Sequence, residues 1–160
     1  MKLIQCLLVF ALSICTTAHG VASESIPDFA IVIHGGAGSA STDSELISAR
    51  EQALSAALDK GVEILKQGGS SLDAVEQVIR LLEDSPLFNA GRGGVLTAKG
   101  HNELDASIMD GKTRSCGAVG GVTTVKNPIS LARLVMTETR HVLLVDHGAD
   151  QFAKTLKHPK

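Results

Sequence analysis

The stretch Glu103-Leu104-Asp105-Ala106-Ser107-Ile108-Met109-Asp110-Gly111 alternates apolar and polar side chains and then stops at a turn dipeptide. Leu104, Ala106 and Ile108 fall on one face and Asp105, Ser107 and Met109 on the other, the two-residue period of a strand with one polar side. Asp110-Gly111 is a strong hairpin signal, so a return strand is expected, and Ala118 to Val125 supplies it. Gly120 and Gly121 thin that strand, which implies close cover by a helix or another sheet. Upstream, Val95 to Thr97 reads as a further strand, joined to the first by a turn at Ala98 to Gly100. Downstream, Asn127-Pro128 reads as an N-cap with Pro at the first helical position, followed by a helix through Ile129, Ala132, Val135 and Met136. His141 to Val145 then reads as a strand and Ala149 to Leu156 as an amphipathic helix.

The region before the hairpin is helical. Ile47, Leu54, Leu58, Val62 and Leu65 recur at helical spacing, so Thr42 to Gln67 is expected as one helix, with Thr42 and Glu45 as a capping box. Gly68-Gly69 ends it. A second helix starts near Ser70, shows Leu72, Val75, Ile79 and Leu82 on one face, and stops at Ser85-Pro86. Before both helices, Phe29 to Ile33 is a short β-branched run, expected as a buried strand that exits into His34-Gly35-Gly36-Ala37-Gly38. Strands and helices in this order argue an α+β domain in layers. The sheet elements are few, so an edge is expected to be exposed unless another segment pairs with it, and the isolated chain is expected to aggregate or dimerise.

Composition limits the function classes. Of 160 residues 44% are hydrophobic and 20% charged, a globular balance, and the net charge of −2 gives no reason to expect nucleic acid as a partner. With 2% aromatic residues, no Trp and no Tyr, the core must come from Val, Leu, Ile and Ala. The basic residues Lys154 to Lys160 read as a solvated helix end. Residues 1–20 read as a cleavable leader: Lys2 is the positive start, Leu3 to Cys15 the apolar stretch, and Ala18 and Gly20 the small residues before the cut. The cut could also fall after Ala22. Ile14 is bulky where lipidation at Cys15 needs a small residue. The leader implies a secreted or periplasmic protein, not held in a membrane once mature. It removes Cys6 and Cys15, so Cys116 stands alone without a disulfide partner and is expected as a small buried residue beside a glycine.

Few residue constellations point to chemistry directly. The glycine loop 34–38 could cradle an anion, or it could be a tight strand exit in which His34 caps backbone groups. No Lys-Ser/Thr follows it, and its glycines lack dinucleotide spacing. His34, His101, His141, His147 and His158 lie on separate elements, with no metal-ligand spacing. Asp105 and Asp110 read as a hairpin face rather than a catalytic pair.

Several blocks taken together resemble the plant-type asparaginase/isoaspartyl peptidase family. They are Ile31 to Gly38, Leu81 to Gly91 with Gly94 to Thr97, Glu103 to Gly111, Gly117 to Val119, and Asn127 to Met136. The match runs in order from Ala30 to about Ala153. The resemblance implies an N-terminal-nucleophile hydrolase, with a four-layer αββα sandwich of which residues 21–160 form the α part. Such precursors cut themselves before a Thr, which then attacks asparagine or a β-aspartyl dipeptide with its own α-amine as base. An α-amine of pKa roughly 7.7–8.0 can accept a proton near neutral pH. The family's Thr lies in a Gly-Thr-Val-Gly context, and no Gly-Thr dipeptide occurs in this sequence. The catalytic Thr is therefore expected from a C-terminal β part, and this chain alone is expected to be inactive.

By the same resemblance, His34, Gly35 and Gly36 form the loop beside the scission site, and Asn89 approaches the nucleophile. Backbone carbonyls of Leu82, Glu83, Ser85, Phe88, Ala90 and Arg92 would hold a structural sodium ion, hard donors for a hard cation. No cofactor for catalysis is implied. The implied partners are the β part, a second αβ unit in an (αβ)2 dimer, and a small-molecule or dipeptide substrate. A fragment of a glycosylasparaginase-branch hydrolase, or a pairing module without enzymatic activity, are the alternatives.

Overall fold

A computed structural model describes residues 29–38 and 41–156. The expected leader and the basic terminus lie outside the described residues. The chain forms α1 (Ser44–Lys66), α2 (Ser71–Asp84), a single 3-10 turn (Gly91–Gly93), β1 (Leu104–Met109), β2 (Cys116–Val122), α3 (Pro128–Glu138), β3 (Leu143–Val145) and α4 (Asp146–Thr155). The sheet order is β1-β2-β3, with β1 antiparallel and β3 parallel to β2. This mixed α+β arrangement agrees with the sequence.

The sheet has two unlike faces. Ile108, Val119 and Val122 turn inward and form one core with Ile129, Leu131, Ala132 and Val135 of α3 and with Ala149 and Ala153 of α4. On the other face Met109, Leu143 and Val145 are exposed, at 61%, 53% and 49%. Among the described residues nothing packs over them. A second core lies between α1 and α2, where Ala57, Val78, Leu82 and Phe88 meet Ile31, Ile33 and Leu54.

Several local expectations change. The helix start falls at Asp43, whose Oδ1 accepts from the amides of Glu45 (2.9 Å) and Leu46 (3.2 Å), so the carboxylate displaces Thr42 as cap. Ser70 and Asp73 form the capping box of α2. Phe29 to Ile33 joins no ladder. It runs extended, Ile31 and Ile33 turned toward α1 and α2 and Val32 93% exposed, because no described strand lies beside it. Val95 to Thr97 shrinks to one bridge, Leu96 to Asn102, around a turn closed by the Gly100 amide on the Thr97 carbonyl. His141 to Val145 shortens to β3, and α4 starts at Asp146, earlier than expected.

The hairpin loop is also longer than its dipeptide suggests. Residues 110–115 join β1 to β2, Asp110 Oδ1 accepts from the Lys112 amide, Oδ2 accepts from the Thr113 hydroxyl, and the positive φ falls on Arg114 (63°) rather than on Gly111. β2 thus begins at Cys116, which is exposed on the open sheet face instead of buried. The buried glycine is its neighbour. A Cβ on Gly117 would meet the Ala132 carbonyl and lie 2.6 Å from the Met136 amide nitrogen of α3. Helix backbone comes closest at Gly117; Gly121, at φ +63°, is covered by the Asp146 side chain at the start of α4 as expected, and Gly120 meets only side chains at 3.5 Å.

Asp150 ties α4 to the end of β2. Its carboxylate accepts from the amide and hydroxyl of Thr123 and the amide and hydroxyl of Thr124. Burial pushes its pKa up, but these donors outweigh that and hold it below the ordinary Asp value. The stabilisation is complete above the ordinary Asp pKa and is lost as pH falls through the folded value. Asp150→Ala should cost ~1–2 kcal/mol at pH 7, since Thr123 is exposed and water can reach its freed amide. Chemical denaturation at pH 7 tests this; an unchanged midpoint contradicts it.

Candidate active site

Residues 34–38, α1, α2 and the loop after α2 line an open cavity of about 610 Å³. The backbone of His34 to Gly38 lines one part of it and Leu87 to Ala90 another, while α1 contributes Arg50 and Leu54 and α2 contributes Ile79 and Leu82. Two loops far apart in sequence thus share one cavity. Every residue expected beside the active centre, His34, Gly35, Gly36 and Asn89, lines it.

Each loop is shaped by its own chemistry. His34 Nδ1 accepts from the Gly36 amide at 3.2 Å, so the ring caps the backbone as it leaves the extended segment. Gly36 then takes φ +105°, a region that favours glycine. Gly35 is tightly covered: a Cβ there would sit 3.2 Å from both Leu54 and Phe88, whose side chains would have to give way by a few tenths of an ångström. Asn89 Oδ1 accepts from the Val95 amide at 3.0 Å, which fixes the side chain's orientation. Its amide nitrogen has no partner among the described residues, so it is a donor available to a ligand. The described walls contain no Ser, Thr, Cys or carboxylate. These residues can orient a ligand and donate hydrogen bonds to it, but they offer no nucleophile.

Arg50 is the cavity residue that sequence reading passed over. It lies on the inward stripe of α1, one turn before Leu54, and is half-buried. Its Nε–H donates to the Leu87 carbonyl at 3.2 Å. A cation interrupting an apolar stripe was the available signal.

In the bend from Leu82 to Arg92 the Glu83 and Phe88 carbonyls lie against bare glycines. A Cβ on Gly91, which has φ +49°, would strike the Glu83 carbonyl, and one on Gly93 would strike the Phe88 carbonyl. The Leu82, Phe88 and Ala90 carbonyls each accept one amide, from Ser85, Ala90 and Gly93. Each keeps a second lone pair. Carbonyl oxygens on a glycine-lined bend are the kind of donor that suits a hard cation such as sodium, for which the carbonyls of Leu82, Glu83, Ser85, Phe88, Ala90 and Arg92 would be the ligands.

The side chains of the same bend do different work. Glu83 is 3% exposed, and its Oε1 accepts from the Ile129 amide at 3.0 Å, so it caps α3 from outside. Asn127, expected as that cap, instead donates to Asp84 Oδ1 at 3.0 Å. Asp84 also pairs with Lys126 at 2.9 Å. Glu83 Oε2 is buried without a partner. Burial is the largest cause raising the Glu83 pKa to about 7, outweighing the Ile129 amide, which lowers it.

Comparison with known proteins decides the family, because the family described as asparaginase matches residues 27–160, both cavity loops included. The chain belongs to the plant-type asparaginase/isoaspartyl peptidase family. It is 52% identical over 129 residues to a putative isoaspartyl peptidase/L-asparaginase of Dictyostelium discoideum, covering 78% of this chain and 37% of that protein. It is 50% identical over 131 residues to the plant-type L-asparaginase of Pyrococcus furiosus, covering 82% and 42%. It is 44% identical over 147 residues to the isoaspartyl peptidase/L-asparaginase of Mus musculus, covering 91% and 44%. This asparaginase-family chain therefore spans less than half the length of the curated relatives it matches.

Proposed function

We propose that this chain is the α part of a Thr-type amidohydrolase acting on L-asparagine and β-aspartyl dipeptides, and that its cavity forms one side of the active centre. The observation that supports this most is the meeting of the 34–36 loop and Asn89 in one cavity that lacks a nucleophile of its own among the described residues. The names of the relatives supply the substrate class. In this reading a second segment brings an N-terminal Thr to the cavity. Its α-amine takes the hydroxyl proton, its oxygen attacks the side-chain carbonyl, and ammonia or the amino acid leaves with that proton; water then hydrolyses the β-aspartyl ester, releasing aspartate and freeing the Thr. Asn89 donates from its amide nitrogen, and His34 holds the glycine loop in the shape that admits the nucleophile. A sodium ion in the 82–92 bend would be structural, stiffening the loop that presents Asn89.

The four-layer sandwich fits the same reading. The exposed face of Met109, Leu143 and Val145 is where a second sheet would lie. The leader would route the protein out of the cytoplasm. Co-production of this chain with the Thr-containing segment of a relative tests the proposal. Aspartate release from a β-aspartyl dipeptide is expected from the pair and not from either piece. A stable complex without hydrolysis points to a pairing module instead.

A further inference from the structure

Arg50 presents an unneutralised cation to the cavity. Its Nε–H is committed to the Leu87 carbonyl, which tethers it to the wall that carries Asn89. Among the described residues the remaining N–H groups of the guanidinium have no partner and no carboxylate lines the cavity. A half-buried guanidinium left in this state is a strong donor for an anion, and its planar fork matches a carboxylate.

Size points to which carboxylate. L-Asparagine has few heavy atoms. Even at the ~30 Å³ that liquid water gives each molecule, it fills roughly 270 Å³. The cavity is an open cleft of about 610 Å³, so it does not close around asparagine, and a second residue can extend from the aspartyl half even with a Thr brought in by another segment. The aspartyl half is the same in asparagine and in a β-aspartyl dipeptide. Extra volume and an extra anion come together only with the residue that leaves.

We infer that Arg50 binds the free carboxylate of the leaving residue, so that this side chain sets the preference for dipeptides over asparagine. The inference rests on the functional reading above. Arg50 is a specificity residue, not a member of the bond-breaking machinery, and the hydrolysis of asparagine does not need it.

The test uses the co-produced assembly and three substrates: β-aspartyl-leucine, its C-terminal amide, and L-asparagine. The unsubstituted protein should favour the free acid over the amide by about tenfold or more in kcat/KM, the worth of one charge-assisted hydrogen bond. Arg50→Gln should abolish that preference, lowering kcat/KM for the free acid at least about threefold more than for asparagine. Arg50→Lys, which keeps the charge without the fork, should retain part of it. Hydrolysis of asparagine with no acid-over-amide preference in the unsubstituted protein overturns the assignment alone, whatever the variants do. So does a Gln variant that keeps the preference, or one that loses asparagine and dipeptide equally. Failure of the unsubstituted assembly to hydrolyse asparagine overturns the functional reading, and the assignment with it.

Discussion

Glu83→Gln should become more stable relative to the unsubstituted protein by ~3 kcal/mol as pH rises from 5 to 8. The cause lies in the buried carboxyl. Glu83 is 3% exposed, caps the amide of Ile129 with one oxygen and leaves the other without a partner. Burial lifts its pKa from 4.5 to about 7. A folded value above the unfolded one means that the folded protein binds the proton more tightly. Ionisation therefore costs nothing extra below about 4.5, where both states are protonated. The cost grows through the window from 4.5 to about 7 and is constant above it. Glutamine keeps an oxygen for the Ile129 amide and cannot ionise. Denaturation of both proteins at several pH values gives the difference directly, and titrations common to both cancel. A difference that stays flat across the window contradicts the account.

Gly117→Ala should cost ~3 kcal/mol or more, a large fraction of a domain's usual stability. The added Cβ would press on the Ala132 carbonyl and on Met136, whose Cβ lies 2.8 Å away. These contacts are largely helix backbone, which cannot swing aside as a side chain would. Relief requires α3 to lift from β2, and α3 holds Leu131 and Val135, both fully buried, in the main core. Gly111→Ala is the control, since its Cβ meets nothing within 4 Å. It should shift stability by no more than about 0.5 kcal/mol. Equal denaturation midpoints for the two variants would remove the close β2–α3 packing from the account.

What could be read from the sequence follows a physical division. Periodicity marked α1, α2, α3 and β1, because their apolar residues face partners that the chain itself supplies. Residue type over-read Phe29 to Ile33 and Val95 to Thr97, short apolar runs that look strand-like but have no adjacent described strand to complete a ladder. Caps were misplaced where a neighbour outcompeted the local candidate. Asp43 took the role given to Thr42, and Glu83, distant in sequence, took that of Asn127. Local pattern cannot reveal a carboxylate arriving from another helix.

The cavity residues divide in the same way. His34, Gly35, Gly36 and Asn89 were named because motif blocks mark them, and one cavity gathers them. Arg50 belongs to no block. Only tertiary placement, through its bond to the Leu87 carbonyl, sets it on the cavity wall.

The account holds that the cavity between the 34–38 loop and Asn89 is one side of an active centre completed by another segment. A crystal structure of the co-produced assembly with L-aspartate bound tests this most directly. Aspartate should lie in this cavity, with the Asn89 amide nitrogen and the Thr hydroxyl each within about 3.2 Å of its side-chain carboxylate. Aspartate bound elsewhere, or a cavity filled by side chains of the second segment with the Thr remote from Asn89, would contradict it.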